Sequence, residues 1–548
     1  MKIKISAFAL LAIFGLSAFT YAKREDLFEV TKNLEIFASA YKELSLGYVD
    51  ETKPGELVTK ALEAMLASLD PYTVYIPESR IEDFRIENTG EYGGIGASLY
   101  KLNDVVYISD ILSQSPLLDA NIADGDILLE ADGRSIEGRS IAEITKLVQG
   151  QANTSVKLKT KSFVTGEISE QSIDRINVKV PDVPYYGMLD NQGTGYITLS
   201  SFTATASNEV KKAFESLKDS GMTSLVFDLR GNGGGLLIQA VNIVNFFVPK
   251  GVTVVETKGK LLSYNHTYKT TNNPLDTIMP ICVLVNENSA SASEIVSGAL
   301  QDLDRAVIVG TETYGKGLVQ RTVDLPYKAK LKLTISKYYI PSGRCIQKLD
   351  YSEKNALGEV LEVPDSLLRT FTTKNGRIVK DGRGIKPDVF IDKPFAGEII
   401  SAMGSNGAFF LWGNTYLKSG KTITDPATFE LSDTDFNDFV SFAESLDIQY
   451  KNQSEEILNI LSEISESERL AKFIEQDIKN LQDKVKPDVK RDLTRFSDQA
   501  KKYLEVELAK KLFFEKGQTL ALLHNDVTLD SALELLKDSN RYRSILKK

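Results

Sequence analysis

Val285-Asn286-Glu287-Asn288-Ser289-Ala290-Ser291-Ala292-Ser293-Glu294-Ile295 sets three serines at alternate positions, each beside a small residue. The preceding MPICVLV run is short, apolar and β-branched, as a buried strand requires. The following ASEIVSGALQDLD has helical periodicity, so the stretch reads as a strand-to-helix turn. Ser291-Ala292-Ser293-Glu294 fits S-x-x-E, a helix capping box. Capping alone would account for the pattern. The same geometry would also project the Ser291 hydroxyl from the scaffold. It would aim the Ala292 N–H outward at the positive helix end, where an oxyanion could be held. A nucleophile there still needs a base.

The neighbouring sequence sets the fold class. TGYITLSSF, SLVFDLR, MPICVLVN, RAVIVG and LKLTISKYYI read as strands, interleaved with the helices ASNEVKKAFESLKDSG and LLIQAVNIVNFFV. Such alternation implies an α/β layer fold over residues 178–395. Asp228-Leu229-Arg230-Gly231-Asn232-Gly233-Gly234-Gly235 is a glycine-rich strand-to-helix loop, and no G-K-[ST] follows to make it a phosphate loop.

Downstream lies Thr311-Glu312-Thr313-Tyr314-Gly315-Lys316-Gly317-Leu318-Val319-Gln320. A surface turn is the usual home of such a lysine. In a dry pocket, however, its ammonium loses hydration and gives up its proton more readily. A neutral lysine can then take a serine proton. Gln320, four residues on, can face the same way and orient the amine.

Composition narrows the chemistry. The chain has 548 residues, enough for about three or four domains. Its 42% hydrophobic and 26% charged content is that of a globular protein, not a fibrous or disordered one. A net charge of -10 argues against a nucleic-acid binder. The two histidines, His266 and His524, lie in neither HExxH nor a zinc-spaced cluster. A Ser-His-Asp triad is therefore improbable, and a serine nucleophile here needs another base. Cys282, in a buried strand, and Cys345, in a polar loop, read as two unpaired thiols.

The N-terminus has Lys2 and Lys4, an apolar Ile5–Phe19 run and small residues up to Ala22. That is the pattern of a secretory signal peptide, 1–22, with an uncleaved anchor as its alternative. Residues 23–87 read as mainly helical. From 88 to 177 short strands surround one helix, opened by Ser140 and closed by Gly150, with an Asp132-Gly133 hairpin turn. Residues 396–548 are helical and charged, with no constellation that carries chemistry.

Two resemblances organise these parts. The 88–177 segment resembles a PDZ domain. Gly93-Gly94-Ile95-Gly96 matches its carboxylate-binding loop, and Asp124-Gly125-Asp126-Ile127-Leu128 a later strand. Successive N–H groups in such a loop form an anion nest, and the next strand edge pairs with an extended peptide. The Ser115–Asn121 stretch departs from the family, which has a small-residue helix there. The order SASASEI, ALQD, TYGKGLVQ over about residues 30–395 resembles the C-terminal processing (tail-specific) serine peptidases. That resemblance implies a multidomain α/β chain with a crotonase-like (ClpP/crotonase-type) core, an inserted PDZ domain and helical ends. It implies Ser291 as nucleophile, Lys316 as base and Gln320 in support. Gly235 and Ala292 would form the oxyanion hole, and Ser289 and Ser293 would serve as turn and cap residues.

The expected activity is serine endopeptidase, extracytoplasmic, on proteins with apolar C-termini, without metal or cofactor. Membrane association through the N-terminus and a homodimer built on the helical ends stay open. The rival readings are a catalytically inactive PDZ scaffold and a CoA-using enzyme of the same fold. A β-lactamase-type hydrolase is weaker, because no S-x-x-K follows Ser291.

Overall fold

The computed structural model describes residues 7–547 except 191, 356, 357, 393 and 394. The leader expected at 1–22 falls partly on residues 1–6, outside the described residues, and no side chain is described before residue 27. Among the described residues no helix is long and apolar enough to cross a membrane. The chain divides into two units, residues 1–81 with 320–334, and residues 82–319 with 335–548.

In the first unit, helices Ala7–Gly47 and Pro54–Ala67 match the helical expectation, and Pro54 stands where a missing N–H costs nothing. Residues 74–76 do not. Val74–Ile76 pairs antiparallel with Lys330–Lys332, because Asp70 breaks the helix and folds back to accept Tyr72 N and Thr73 N, both at 2.8 Å. A three-residue strand carries too little periodicity to be seen in sequence.

The second unit is built on a six-stranded sheet in the order Tyr185–Met188, Thr194–Thr198, Ser224–Asp228, Ile281–Val285, Val307–Gly310, Val389–Phe390. The first pair is antiparallel and the others parallel. Side chains alternate between two buried faces, as a sheet covered on both sides demands. Ile197, Leu225, Phe227, Ile281, Val283 and Ile308 join one core with helices Ala206–Asp219, Leu237–Asn245 and Ala292–Asp302. Tyr196, Val226, Cys282, Leu284, Val307 and Val309 join another, closed by Leu529, Ala532, Leu535, Tyr542 and Leu546. The last two helices of the chain, Val527–Lys537 and Ser539–Ile545, thus cover the back of the sheet. Tyr542 ties them down, its hydroxyl accepting from Ile281 N at 2.9 Å and donating to Ile281 O at 3.0 Å.

Two further modules flank this sheet in sequence. Strands Ser98–Leu102, Val105–Ser109, Ile127–Ala131, Ser155–Lys161 and Ile168–Asp174 form an antiparallel sheet over a core of Ile108, Leu128, Ile144 and Val156. Helix Ile141–Val148 starts on the expected Ser140, in a capping box with Glu143. The Asp132-Gly133 turn has φ of 50° and 70°, as a tight hairpin requires. The Ser115–Asn121 stretch forms turns instead of a helix, and Ser115 Oγ donates to Ile95 O at 2.6 Å. Helices between Glu398 and Leu523 make the other module around Trp412, Phe409 and Phe439. Both cysteines are free thiols.

Candidate active site

Strand Ile281–Val285 ends in the turn that carries the three serines. Their surroundings separate them. Ser289 is fully buried, and its hydroxyl donates to Leu229 O at 2.8 Å while accepting Asn286 N at 3.0 Å. Ser293 is fully buried and donates to Asn232 O at 2.9 Å. Both flanking hydroxyls are engaged by main chain. Ser291 is only half-buried and holds φ 56°, ψ −111° immediately before helix Ala292–Asp302. A non-glycine residue in that region is strained by about 1–3 kcal/mol and persists only where its surroundings impose it.

Glu294 imposes it. This side chain is fully buried in the first turn of the helix. One carboxylate oxygen accepts Ser291 N at 2.8 Å and Lys316 N at 2.9 Å. The other accepts Gly315 N at 2.7 Å and the Thr313 hydroxyl at 2.6 Å. One carboxylate therefore joins the main chain of the serine turn to that of the lysine loop. Burial pushes the Glu294 carboxyl above the ordinary carboxylate range, against these four donors, which pull it down. The S-x-x-E pattern marked Glu294 as a cap partner. Its grip on a loop some twenty residues away was not visible there, because the contact is tertiary.

The lysine loop is clamped on its other side as well. Gly315 has φ 87°, and a methyl on it would lie 2.5 Å from Lys348 Cβ. Its carbonyl accepts Lys348 N at 2.9 Å. Gly317 N donates to Gln347 Oε1 at 2.8 Å, and Gly317 O accepts Tyr338 N at 3.0 Å. The Tyr338 hydroxyl donates to Ser291 O at 3.1 Å, so Tyr338 touches both halves of the site. Lys316 itself is half-buried.

The glycine loop meets the serine turn through Asn232, which is fully buried. Asn232 O accepts both Ala290 N at 3.0 Å and Ser293 Oγ at 2.9 Å. Its side chain donates to Leu199 O at 2.7 Å and accepts Gly234 N at 2.8 Å. Gly234, at φ 103°, lies against the serine turn, where a methyl would stand 2.8 Å from Ser291 Cβ and 3.0 Å from Ala292 N. Because Asn232 takes the Gly234 N–H, the next donor is that of Gly235, which has no protein acceptor among the described residues. The main chain is fixed on either side of Gly235 by its bridge to Phe202, where Gly234 O accepts Phe202 N at 3.1 Å and Leu236 N donates to Phe202 O at 2.8 Å. Ala292 N, in the first turn of its helix, lacks an intrahelical acceptor by position.

Gln320 belongs to the first unit, where its Nε2 donates to Thr334 Oγ1 at 3.2 Å and Thr334 Oγ1 donates to Asp70 Oδ1 at 3.2 Å. Gly93, Gly94, Ile95 and Gly96 lie in the antiparallel module, where the expected continuous loop is shorter. Gly93 and Gly94 are strand residues in Glu91–Gly94, paired with Asn177 and Ile176. Gly93 is glycine for contact, since a methyl there would lie 1.9 Å from Gly150 O. That leaves Ile95 and Gly96, the latter at φ 70°, as the connection into Ser98–Leu102. Among the described residues this strand pairs on one side only, with Val105–Ser109, and helix Ile141–Val148 packs against it.

Comparison with known proteins gives two family matches. The description peptidase family S41 fits residues 193–352, and probable PDZ-protease, C-terminal helical domain, fits residues 399–536. The chain is 33% identical over 366 residues to a probable CtpA-like serine protease of Staphylococcus aureus, an alignment covering 66% of this chain and 65% of that protein. It is 33% identical over 320 residues to a carboxy-terminal-processing protease of Bartonella bacilliformis, covering 58% of this chain and 73% of that one. Among solved structures, a photosystem II D1 C-terminal processing protease is similar at 25% identity and TM-score 0.36, over 65% of this chain and 92% of that chain.

Proposed function

This chain belongs to peptidase family S41, among the carboxy-terminal-processing proteases, and from that premise we propose that it is a serine endopeptidase with Ser291 as nucleophile and Lys316 as base. The observation that carries the assignment is the single carboxylate of Glu294 holding the main chain of both residues. Ser291 Oγ attacks the scissile carbonyl carbon while its proton passes to the Lys316 amine. The carbonyl oxygen becomes an oxyanion facing the N–H groups of Ala292 and Gly235, which are worth most in a site shielded from water. Collapse breaks the C–N bond, and Lys316 returns the proton to the leaving amine. Water then attacks the acyl-Ser291 ester, again losing its proton to Lys316, and frees the new carboxylate. Gln320 enters this reading from its place four residues after Lys316, as the group that orients the amine.

The core is read as crotonase-like. The segment of residues 88–177, which holds the antiparallel module, is read as a PDZ domain inserted before it. The Ile95-Gly96 connection would receive a substrate's terminal carboxylate, and the open edge of Ser98–Leu102 would take the preceding residues as an added strand. Substrates would be proteins with apolar C-termini, met outside the cytoplasm, as the leader-like N-terminus supports.

The test is degradation of an unfolded reporter with an apolar C-terminal tail by wild type, Ser291→Ala and Lys316→Ala. Cleavage by wild type alone supports the reading. Persistent cleavage by Ser291→Ala contradicts the nucleophile assignment.

A further inference from the structure

We propose that Asp526, in the C-terminal helical region, is a positioning residue for the oxyanion loop. The inference rests on the peptidase reading above. Arg230 immediately precedes Gly231 and is the cationic residue of the glycine loop. Its guanidinium bonds Asp228, with Nε at 3.0 Å from both carboxylate oxygens, and reaches Asp526 Oδ2 at 2.7 Å. Asp228 is itself buried and accepts the Tyr196 hydroxyl at 2.8 Å. Arg230 therefore stands between two carboxylates. One is fixed at the end of strand Ser224–Asp228, and the other comes from the far end of the chain.

The two oxygens of Asp526 have separate tasks. Oδ1 accepts Thr528 N at 3.0 Å and Leu529 N at 3.1 Å, capping helix Val527–Lys537. Oδ2 holds Arg230. The helix so capped lies against the back of the catalytic sheet through Leu529, Ala532 and Leu535. From Arg230 the chain continues through Gly231, whose N–H donates to Asn286 Oδ1 at 3.0 Å, to Asn232 and Gly235. A rigid bidentate cation at the root of a loop made otherwise of glycine and asparagine limits the loop's freedom. The donor that would gain most is the Gly235 N–H, and a donor to an oxyanion acts in the transition state more than in the ground state.

Asp526→Asn separates the two tasks. An asparagine still accepts the two cap bonds, so the helix start is kept. Its amide N–H₂ faces the Arg230 guanidinium, donor to donor, so the tie is cut. Two readouts are taken on the full chain. With the tailed reporter, kcat is expected to fall about tenfold, the worth of one charge-assisted hydrogen bond, with KM and Tm nearly unchanged. In a Ser291→Ala background, amide hydrogen exchange across residues 231–236 is expected to quicken by about tenfold, whether or not the enzyme turns over. Combining Asp526→Asn with Arg230→Gln should cost little more than Arg230→Gln alone. Unchanged exchange and wild-type kcat would overturn the proposal. So would a kcat loss that only follows a lowered Tm, which would leave Asp526 as a helix cap. A wild-type enzyme that cleaves nothing would count against the peptidase reading, while the exchange result would still decide this one.

Discussion

Glu294 Oε2 accepts the main-chain N–H of Lys316 at 2.9 Å, from within the first turn of the helix that Ser291 begins. The serine turn and the lysine loop are thus spaced by a shared acceptor as well as by packing. Glu294→Ala leaves four donors without it, two of them in fully buried bonds. We expect kcat on the tailed reporter to fall at least about 100-fold, beyond any change in KM, because about 3 kcal/mol of buried hydrogen bonding is lost where geometry is most demanding. Steady-state kinetics at matched folded fraction checks this.

The same carboxyl has a pH signature. Burial holds it above its ordinary value, so the folded chain binds this proton more tightly than the unfolded chain. Its contribution to stability is fully present below the unfolded value, about pH 4.3, and is lost as pH rises through the raised folded value. Urea unfolding of wild type and Glu294→Gln across that range should show the difference moving in the variant's favour as pH rises. A pH-independent difference would contradict the direction.

Gly234→Ala should silence the enzyme without unfolding it. The new methyl would stand 2.8 Å from Ala290 O and Ser291 Cβ, at a φ of 103°. The strain of about 1–3 kcal/mol is tolerable to the fold, but the displaced serine turn is not tolerable to catalysis. The expected outcome is kcat down more than about 100-fold with near-native circular dichroism.

Much of this site was legible before any coordinates. The strand-turn-helix around Ser291, the glycine loop and the lysine between two glycines each have local signatures, since turns and caps are specified by neighbouring residues. What the sequence hid is tertiary. Asn232 reads as one polar residue in a glycine run, yet it is the hinge between two loops. Val74–Ile76 is too short to announce itself as a strand, and Gly93 looks like loop because its close approach to Gly150 O cannot be seen. Val527–Ile545 reads as one more charged helical stretch, and only its packing reveals it as the second wall of the six-stranded sheet.

Asn232→Ala removes a donor to Leu199 O and an acceptor for Gly234 N in a fully buried position. Stability should drop by about 2–3 kcal/mol, read from the urea midpoint at constant m-value.

Gly93→Ala should act on tail binding and not on the chemistry. A methyl 1.9 Å from Gly150 O forces apart the strand that leads into Ile95-Gly96. In a Ser291→Ala background, affinity for an apolar-tailed peptide should fall at least about tenfold by calorimetry. Cleavage of a short untailed peptide by the active enzyme should change little.

The most direct measurement is covalent labelling of the full chain with a fluorophosphonate, followed by mass mapping of the modified peptide. The Ser291/Lys316 assignment requires one adduct, on Ser291, with the labelling rate falling at least about 100-fold in Lys316→Ala, as loss of an activating base demands. An adduct on Ser289 or Ser293, or labelling of Ser291 at the same rate without Lys316, would contradict it.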